Sequence, residues 1–264
     1  MAERFSYKEK GVGSSPTVPN GHLAQWLARC FDIAEVTGSN PVVPTKGIQN
    51  AKFKILYEDD DLLAIDKPAG MVVDDIPRRV HRLDKETSGI LLIAKNDKAL
   101  EFFQKQFKER KVKKKYLALI VGNLKQDRGV IETLIGRSPK NRQKQKVYLP
   151  FEPGATGKRK AITEYRVLKR FDGLTLIEAT PKTGRKHQIR CHLSYLGHPI
   201  VGDKMYGFKN QPPTSTGGGP KGLKRHFLHA TYLKIKLPDD QEMEFKSDLP
   251  EDLKSVLEKL NEPR

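Results

Sequence analysis

Asp84 closes the polar cluster His81-Arg82-Leu83-Asp84, and Thr87-Ser88-Gly89 then leads into the apolar run Ile90 to Ala94. One carboxylate beside an arginine, on a loop tethered to a buried strand, is a rigid way to present a reactive acid. Such an acid works as a nucleophile or as the stabiliser of a cation. The same residues also have a plain reading: Asp84 as a cap or turn residue and Arg82 as a surface cation.

A second cluster is Thr183-Gly184-Arg185-Lys186-His187-Gln188-Ile189-Arg190-Cys191-His192. It reads as the basic solvent face of a helix, or as a helix whose Arg190 reaches inward to a carboxylate. Helical spacing puts Lys186, Arg190 and Ser194 on one stripe, away from Ile189 and Leu193. His187, Cys191 and His192 are metal-ligand types, but further ligands at zinc spacing are missing, so no metal is expected. Tyr116 is the third feature, an aromatic at the head of a strand and the end of a basic run. Its ring packs in a core or stacks on a base.

The elements that must position these groups are coarse but legible. Phe53, Ile55 and Tyr57 alternate with polar residues, and Leu62 to Ile65 form a second strand. Lys67-Pro68-Ala69-Gly70 is a turn. Ile90 to Ala94 is a buried strand, and residues 97–109 fit a helix with Leu100, Phe103 and Phe107 inward. Strands are expected at Tyr116 to Val121, Ala161 to Leu168, Leu174 to Ala179 and His229 to Leu237. Thr183 is placed to cap a helix with Ile189, Leu193 and Leu196 on its apolar face and Gly197 at its end. Residues 212–222 read as a flexible loop and Leu249 to Leu260 as a last helix. Many strands, few helices and no strict alternation predict an α+β fold with a mixed, mostly antiparallel central sheet and flanking helices.

Length and charge set the outer bounds. The chain has 264 residues, enough for one large domain or two small ones. Its formal net charge is +17, which favours a polyanionic partner. Residues 108–115 hold six basic groups, and residues 137–160 hold eight against one acid, Glu152. Residues 239–264 instead hold nine acids and four bases. Cations therefore concentrate in the middle of the chain, as a surface that tracks phosphates requires. Two distant cysteines, Cys30 and Cys191, imply no disulfide framework and fit a reducing cytoplasm. No apolar stretch reaches membrane-spanning length and no signal peptide is visible.

Residues 1–48 look foreign to the rest and are expected to form a poorly structured extension, with the compact domain over 49–264. The segment Gly13-Ser14-Ser15-Pro16-Thr17-Val18-Pro19 returns as Gly38-Ser39-Asn40-Pro41-Val42-Val43-Pro44, an offset of 25 residues. Gly-Ser-Asn-Pro is what the T-arm of a transfer RNA gene yields when translated, and 25 codons is close to the length of such a gene. Read-through from a start codon assigned too far upstream accounts for the repeat. The competing reading is a genuine appendage with a short amphipathic helix that docks through Trp26.

In order along the chain, these elements resemble the pseudouridine synthases of the RluA type. The resemblance is carried by Asp66-Lys67-Pro68-Ala69-Gly70, by residues 80–89, by Lys115-Tyr116, by residues 183–190, by Gly197-His198-Pro199-Ile200-Val201-Gly202-Asp203 and by Leu228-His229-Ala230. It runs from about residue 53 to 250. It implies the fold of that family and an isomerase that turns uridine in ribosomal or transfer RNA into pseudouridine, with no cofactor. It also implies that Asp84 is the catalytic aspartate, that Tyr116 lies against the target base, that Arg190 pairs with Asp84, and that Arg82 fills the space of the displaced nucleotide. The expected RNA-contacting set is Arg82, His81, Arg185 and His187 with Lys113, Lys114 and Lys115 of the basic run.

The chemistry is consistent with those roles. The reaction breaks the C1′–N1 bond and makes C1′–C5, which calls for one ionised carboxylate rather than the pair a glycosidase needs. A close Arg190 would hold the Asp84 pKa down. Only ten residues separate Gly70 from His81, where relatives usually carry a longer insert with a helix, so the rim there should be barer. No small RNA-binding domain of the S4 kind is recognisable before residue 50. A monomer is the default. Two rivals remain: a non-catalytic RNA-binding protein that keeps the fold, against which Asp84, Tyr116 and Arg190 all speak, and a metal-dependent nuclease, which would require a cluster of acids.

Overall fold

The computed structural model describes residues 53–74, 76–207 and 223–262. The expected extension over 1–48, with its helix near Trp26, and the expected 212–222 loop lie outside them.

Thirteen elements follow in order among the described residues: β1 (Lys54–Glu58), β2 (Leu62–Lys67), β3 (Ser88–Ala94), α1 (Asp97–Lys108), β4 (Lys113–Val121), β5 (Arg128–Arg137), β6 (Gln145–Tyr148), β7 (Arg159–Phe171), β8 (Leu174–Pro181), α2 (Gln188–Tyr195), β9 (Leu228–Lys236), β10 (Glu242–Lys246) and α3 (Glu251–Asn261). The strands form one sheet in the order β1-β2-β3-β9-β4-β8-β7-β5-β6, with β10 added to β9. Every pairing is antiparallel except β3 with β9, so the expected mixed, mostly antiparallel sheet with few helices is what forms.

Local chemistry explains most of these elements. All seven residues of β3 are buried, as an apolar run covered on both faces requires. Helix α1 starts where the Asn96 side chain accepts the Ala99 N–H at 2.8 Å. Asp97 in its first turn and Lys105 and Lys108 in its last complement the helix dipole. Phe103 is fully buried, with Leu100 and Phe107 partly buried beside it against the β2–β3 core. A second core gathers β4 and β8 with Ile189 and Leu193 of α2 and Leu253 and Val256 of α3.

Sheet register positions the site. The pairings set Gly89, Ala230, Tyr116 and Ala179 abreast on β3, β9, β4 and β8. The close β3–β9 approach requires glycine: at Gly89, with φ +112°, a Cβ would stand 2.2 Å from the Ala230 carbonyl oxygen. Residues 68–88 leave β2 and re-enter β3 at this same end, because Lys67 pairs with Gly89.

Several expectations need correction. Strands β5, β6 and β10 form where none was expected. In β5 the signal was present, since Ile131, Thr133 and Ile135 are buried in alternation. Helix α2 begins at Gln188, after His187 in the left-handed region (φ 55°), and not at Thr183. Thr183 instead donates to Gln188 Oε1 at 2.7 Å and accepts from Ile162 N at 3.0 Å, so it fastens the loop to β7. Lys186 therefore precedes the helix and shares no helical stripe with Arg190. Leu196, just past the last helical turn, is exposed rather than part of the apolar face.

Candidate active site

The loop that carries Asp84 is tied at nearly every residue. Lys67, fully buried, donates from Nζ to the carbonyls of Pro68 (2.7 Å), Met71 (3.2 Å) and Lys85 (3.0 Å). Gly70 N–H donates to the same Lys85 carbonyl at 2.9 Å. Burial first, and the neighbouring Arg225 charge second, push the Lys67 pKa down to about 8. Arg225 donates from NH1 to the Glu86 carbonyl at 3.1 Å while its Nε and NH2 hold Asp252 of α3 at 2.6 and 3.0 Å. Thr87 shares a hydrogen bond with His226 (2.8 Å) and Ser88 one with His229 (3.0 Å). A loop with this many anchors holds its acid in one geometry.

Arg190 meets that acid. Its NH1 donates to Asp84 Oδ2 at 2.9 Å, across 106 positions of sequence. Its other edge is held by Asp203, with Nε to Oδ2 at 2.7 Å and NH2 to Oδ1 at 2.9 Å. Asp203 Oδ1 also accepts the N–H groups of Met205 and Tyr206. Burial works against charge at both ends of the Arg190–Asp203 pair. The mutual ion pair outweighs it, holding the guanidinium above and the Asp203 carboxyl below their ordinary ranges. Arg190 therefore reaches inward, to two carboxylates.

These groups open into a cavity of about 570 Å³. Nine arginine and lysine side chains line it, and Asp84 is the one acid among the lining residues. Tyr116 faces the same cavity. Burial first and the Asp84 charge second raise its phenol far above the ordinary range, so it stays protonated. His187 Nε2 stands 3.8 Å from Asp84 Oδ1, and its Nδ1 shares a 3.0 Å hydrogen bond with the Tyr206 hydroxyl. Burial lowers the His187 pKa.

The other expected RNA-contacting residues separate. Lys114 lines the cavity, and burial pushes it down to about 8. Lys113 and Lys115 do not line it, because side chains alternate along β4 and theirs face the opposite side. Lys115 pairs there with Glu178 at 3.3 Å. His81 stacks on Phe107 (ring centroids 4.9 Å, interplanar angle 16°) and accepts the Leu92 N–H at 3.1 Å. That bond, with burial and Lys114 pushing its pKa down to about 3, makes it a clamp on β3. Arg82 is exposed at the cavity, 3.4 Å from Asp74. Arg185 is held by its Nε, which donates to the Lys160 carbonyl at 2.9 Å.

Of the histidines and cysteine first weighed as metal ligands, His192 lies between Thr133 (3.0 Å) and Thr163 (2.8 Å) and Cys191 is buried against β5, β6 and β7. They do not converge with His187.

Sequence reasoning missed Asp203, Tyr206 and Lys67 as parts of the site. Asp203 and Lys67 fall inside matched elements, but nothing local assigns either a partner. The Tyr206 ring lies 5.1 Å from the Arg190 guanidinium and its hydroxyl accepts Gln145 N–H at 2.6 Å, contacts that only folding creates.

The sequence model of the RNA pseudouridylate synthase family matches residues 73–195. An uncharacterized RNA pseudouridine synthase of Chlorobaculum parvum is 40% identical over 275 residues, covering 90% of this chain and 83% of that protein. The ribosomal large subunit pseudouridine synthase D of Nitrosomonas europaea is 39% identical over 231 residues, 78% of this chain; the chain spans only 64% of that protein's length. Among solved structures, human RNA pseudouridylate synthase domain containing 1 superposes with a TM-score of 0.65 at 29% identity, covering 77% of this chain and 87% of that one.

Proposed function

The chain belongs to the RNA pseudouridine synthase family, and we propose that it isomerises a specific uridine of RNA to pseudouridine with Asp84 as the reacting carboxylate. The observation that carries this is Asp84 itself: the one acid lining a nine-cation cavity, with its Oδ2 held by Arg190. The cations fit a polyanionic strand, and the single carboxylate fits glycosidic bond cleavage in which one acid supports the sugar or adds to the reacting nucleoside.

The chemistry divides among this chain's own residues. The target uridine leaves its stack and enters the cavity, and the exposed Arg82 occupies the gap it leaves. Tyr116 stacks on the uracil. The C1′–N1 bond breaks with its electron pair going to N1, the base turns, C1′–C5 forms, and the C5 proton passes by way of the Tyr116 hydroxyl to end on N1. Atoms and electrons balance within the nucleoside, so the step calls for no oxidant or reductant. Arg190, braced by Asp203, keeps Asp84 oriented while its charge is used.

The names of the Nitrosomonas europaea protein and its kind support large-subunit ribosomal RNA as the first substrate to test, with transfer RNA beside it. Pseudouridine mapping of unmodified transcripts of both, treated with wild-type protein or with Asp84→Asn, tests the reading. Conversion by wild type and none by the variant is expected. Equal conversion by the two, or RNA binding with no conversion by wild type, defeats it; the second result favours an RNA-binding protein that keeps the synthase fold.

A further inference from the structure

Phe151 is 100% exposed, unlike any other large apolar side chain among the described residues. It sits on the segment between β6 and β7, and this segment is built rather than slack. Glu152 N–H donates to the Leu149 carbonyl (3.0 Å), Ala155 to Glu152 (2.9 Å) and Lys158 to Ala155 (3.0 Å), three turns in succession. Gly154 (φ +82°) and Gly157 (φ +74°) supply the left-handed conformations these turns need. A single exposed apolar side chain on a surface usually needs no explanation. A fully bared ring on an ordered tip, in a strongly cationic stretch of the chain, is a different case.

The surroundings select the partner. Glu152, the lone acid of residues 137–160, is neutralised by Lys146. Lys146 and Lys158 both stand over the Tyr148 ring, at 4.6 and 5.2 Å from its centroid, so two ammonium groups are held in place beside the tip. The segment then runs directly into Arg159, which lines the Asp84 cavity. Lys158 beside the tip and Arg159 at the cavity are thus consecutive in the chain.

We propose that Phe151 is a second RNA-binding element, which stacks on an unpaired base flanking the target while Lys158 and Arg159 meet the intervening phosphates. Stacking on an aromatic ring tolerates every base, so such a contact adds affinity and register without reading sequence. This inference rests on the RNA reading of the cavity.

Binding of a labelled single-stranded, uridine-containing RNA to the full chain tests it, with turnover of the modifiable transcript measured alongside. Phe151→Ala is expected to weaken affinity roughly 5- to 100-fold and to raise KM with kcat unchanged, and Phe151→Trp to restore both. Phe151→Leu is expected to behave like the alanine variant, because an aliphatic side chain has no π face. Wild-type affinity in Phe151→Ala overturns the proposal, and so does full rescue by leucine. A change of oligomeric state in Phe151→Ala with RNA affinity intact also overturns it, by making the ring a contact between copies. If wild type neither binds nor converts RNA, the functional reading falls first. If wild type does both and Phe151→Ala matches it, only this inference falls.

Discussion

Arg190 and Asp203 form a two-pronged ion pair, Nε to Oδ2 at 2.7 Å and NH2 to Oδ1 at 2.9 Å, behind the single bond that Arg190 makes to Asp84. The Asp203 side chain is fully buried, and the Arg190 side chain is 8% exposed. The guanidinium is thus positioned from behind before it touches Asp84. Asp203→Ala should cost about 3–5 kcal/mol, because it strands a buried charge. Asp203→Asn should retain more stability yet lower kcat with little change in KM. Thermal unfolding and steady-state kinetics separate the two effects; kcat at the wild-type level in Asp203→Asn would remove the positioning role.

Asp84 is half-buried and is positioned through its neighbours, so Asp84→Asn should change stability by no more than about 1 kcal/mol. Turnover should fall below detection while RNA affinity stays within a few fold of wild type. A pseudouridine assay beside a binding titration checks both halves of the statement.

Of Lys113, Lys114 and Lys115, only Lys114 lines the cavity. Lys114→Ala should weaken RNA binding and reduce the slope of log affinity against log salt by about 0.7–0.9, the loss of one phosphate contact. Lys115→Ala, whose ammonium pairs with Glu178, should leave that slope nearly unchanged. Titrations across a salt series decide it, and identical slopes for the two variants would mean that Lys114 does not meet phosphate.

Gly89 permits the contact between β3 and β9. Gly89→Ala would drive a Cβ to 2.2 Å from the Ala230 carbonyl oxygen in a conformation that alanine resists. A loss of at least about 3 kcal/mol is expected, with Asp84 displaced in whatever still folds. Chemical denaturation measures the first part and turnover at low temperature the second.

Buried histidines set an acid limit. Burial pushes His192 and His226 down to about 4 and His81 to about 3. The unfolded chain takes up these protons near pH 6.5, whereas the folded chain resists until about pH 4 or below. Between those values the unfolded state binds more protons, so their contribution is fully present above pH 6.5 and is lost as pH falls toward 4. Each carries on the order of 3 kcal/mol across that window. Urea midpoints at pH 7 and pH 5 should differ accordingly, and His192→Asn should narrow the gap.

The sequence by itself singled out the candidate chemistry-bearing residues. Asp84, Arg82, Tyr116 and Arg190 sit in short segments whose residue types and order are distinctive, and the apolar run after Gly89 marks a buried strand. Helix α1 and the cationic middle of the chain were legible for the same reason: caps, 3.6-residue periodicity and charge density are properties of neighbours in sequence. The start of α2 was misplaced because Thr183, a good cap by type, spends its hydroxyl on Gln188 and the β7 backbone, contacts that arise only once β7 lies alongside.

Tertiary structure decided everything that depends on register and burial. Which lysine of three turns into the cavity follows from two-residue alternation on β4, and that phase is set by its pairing with β8 and β9. That Arg190 is braced by Asp203, and that Lys67 and Arg225 pin the Asp84 loop, are consequences of burying charge: a guanidinium or ammonium carried out of water must find its partners wherever packing has brought them.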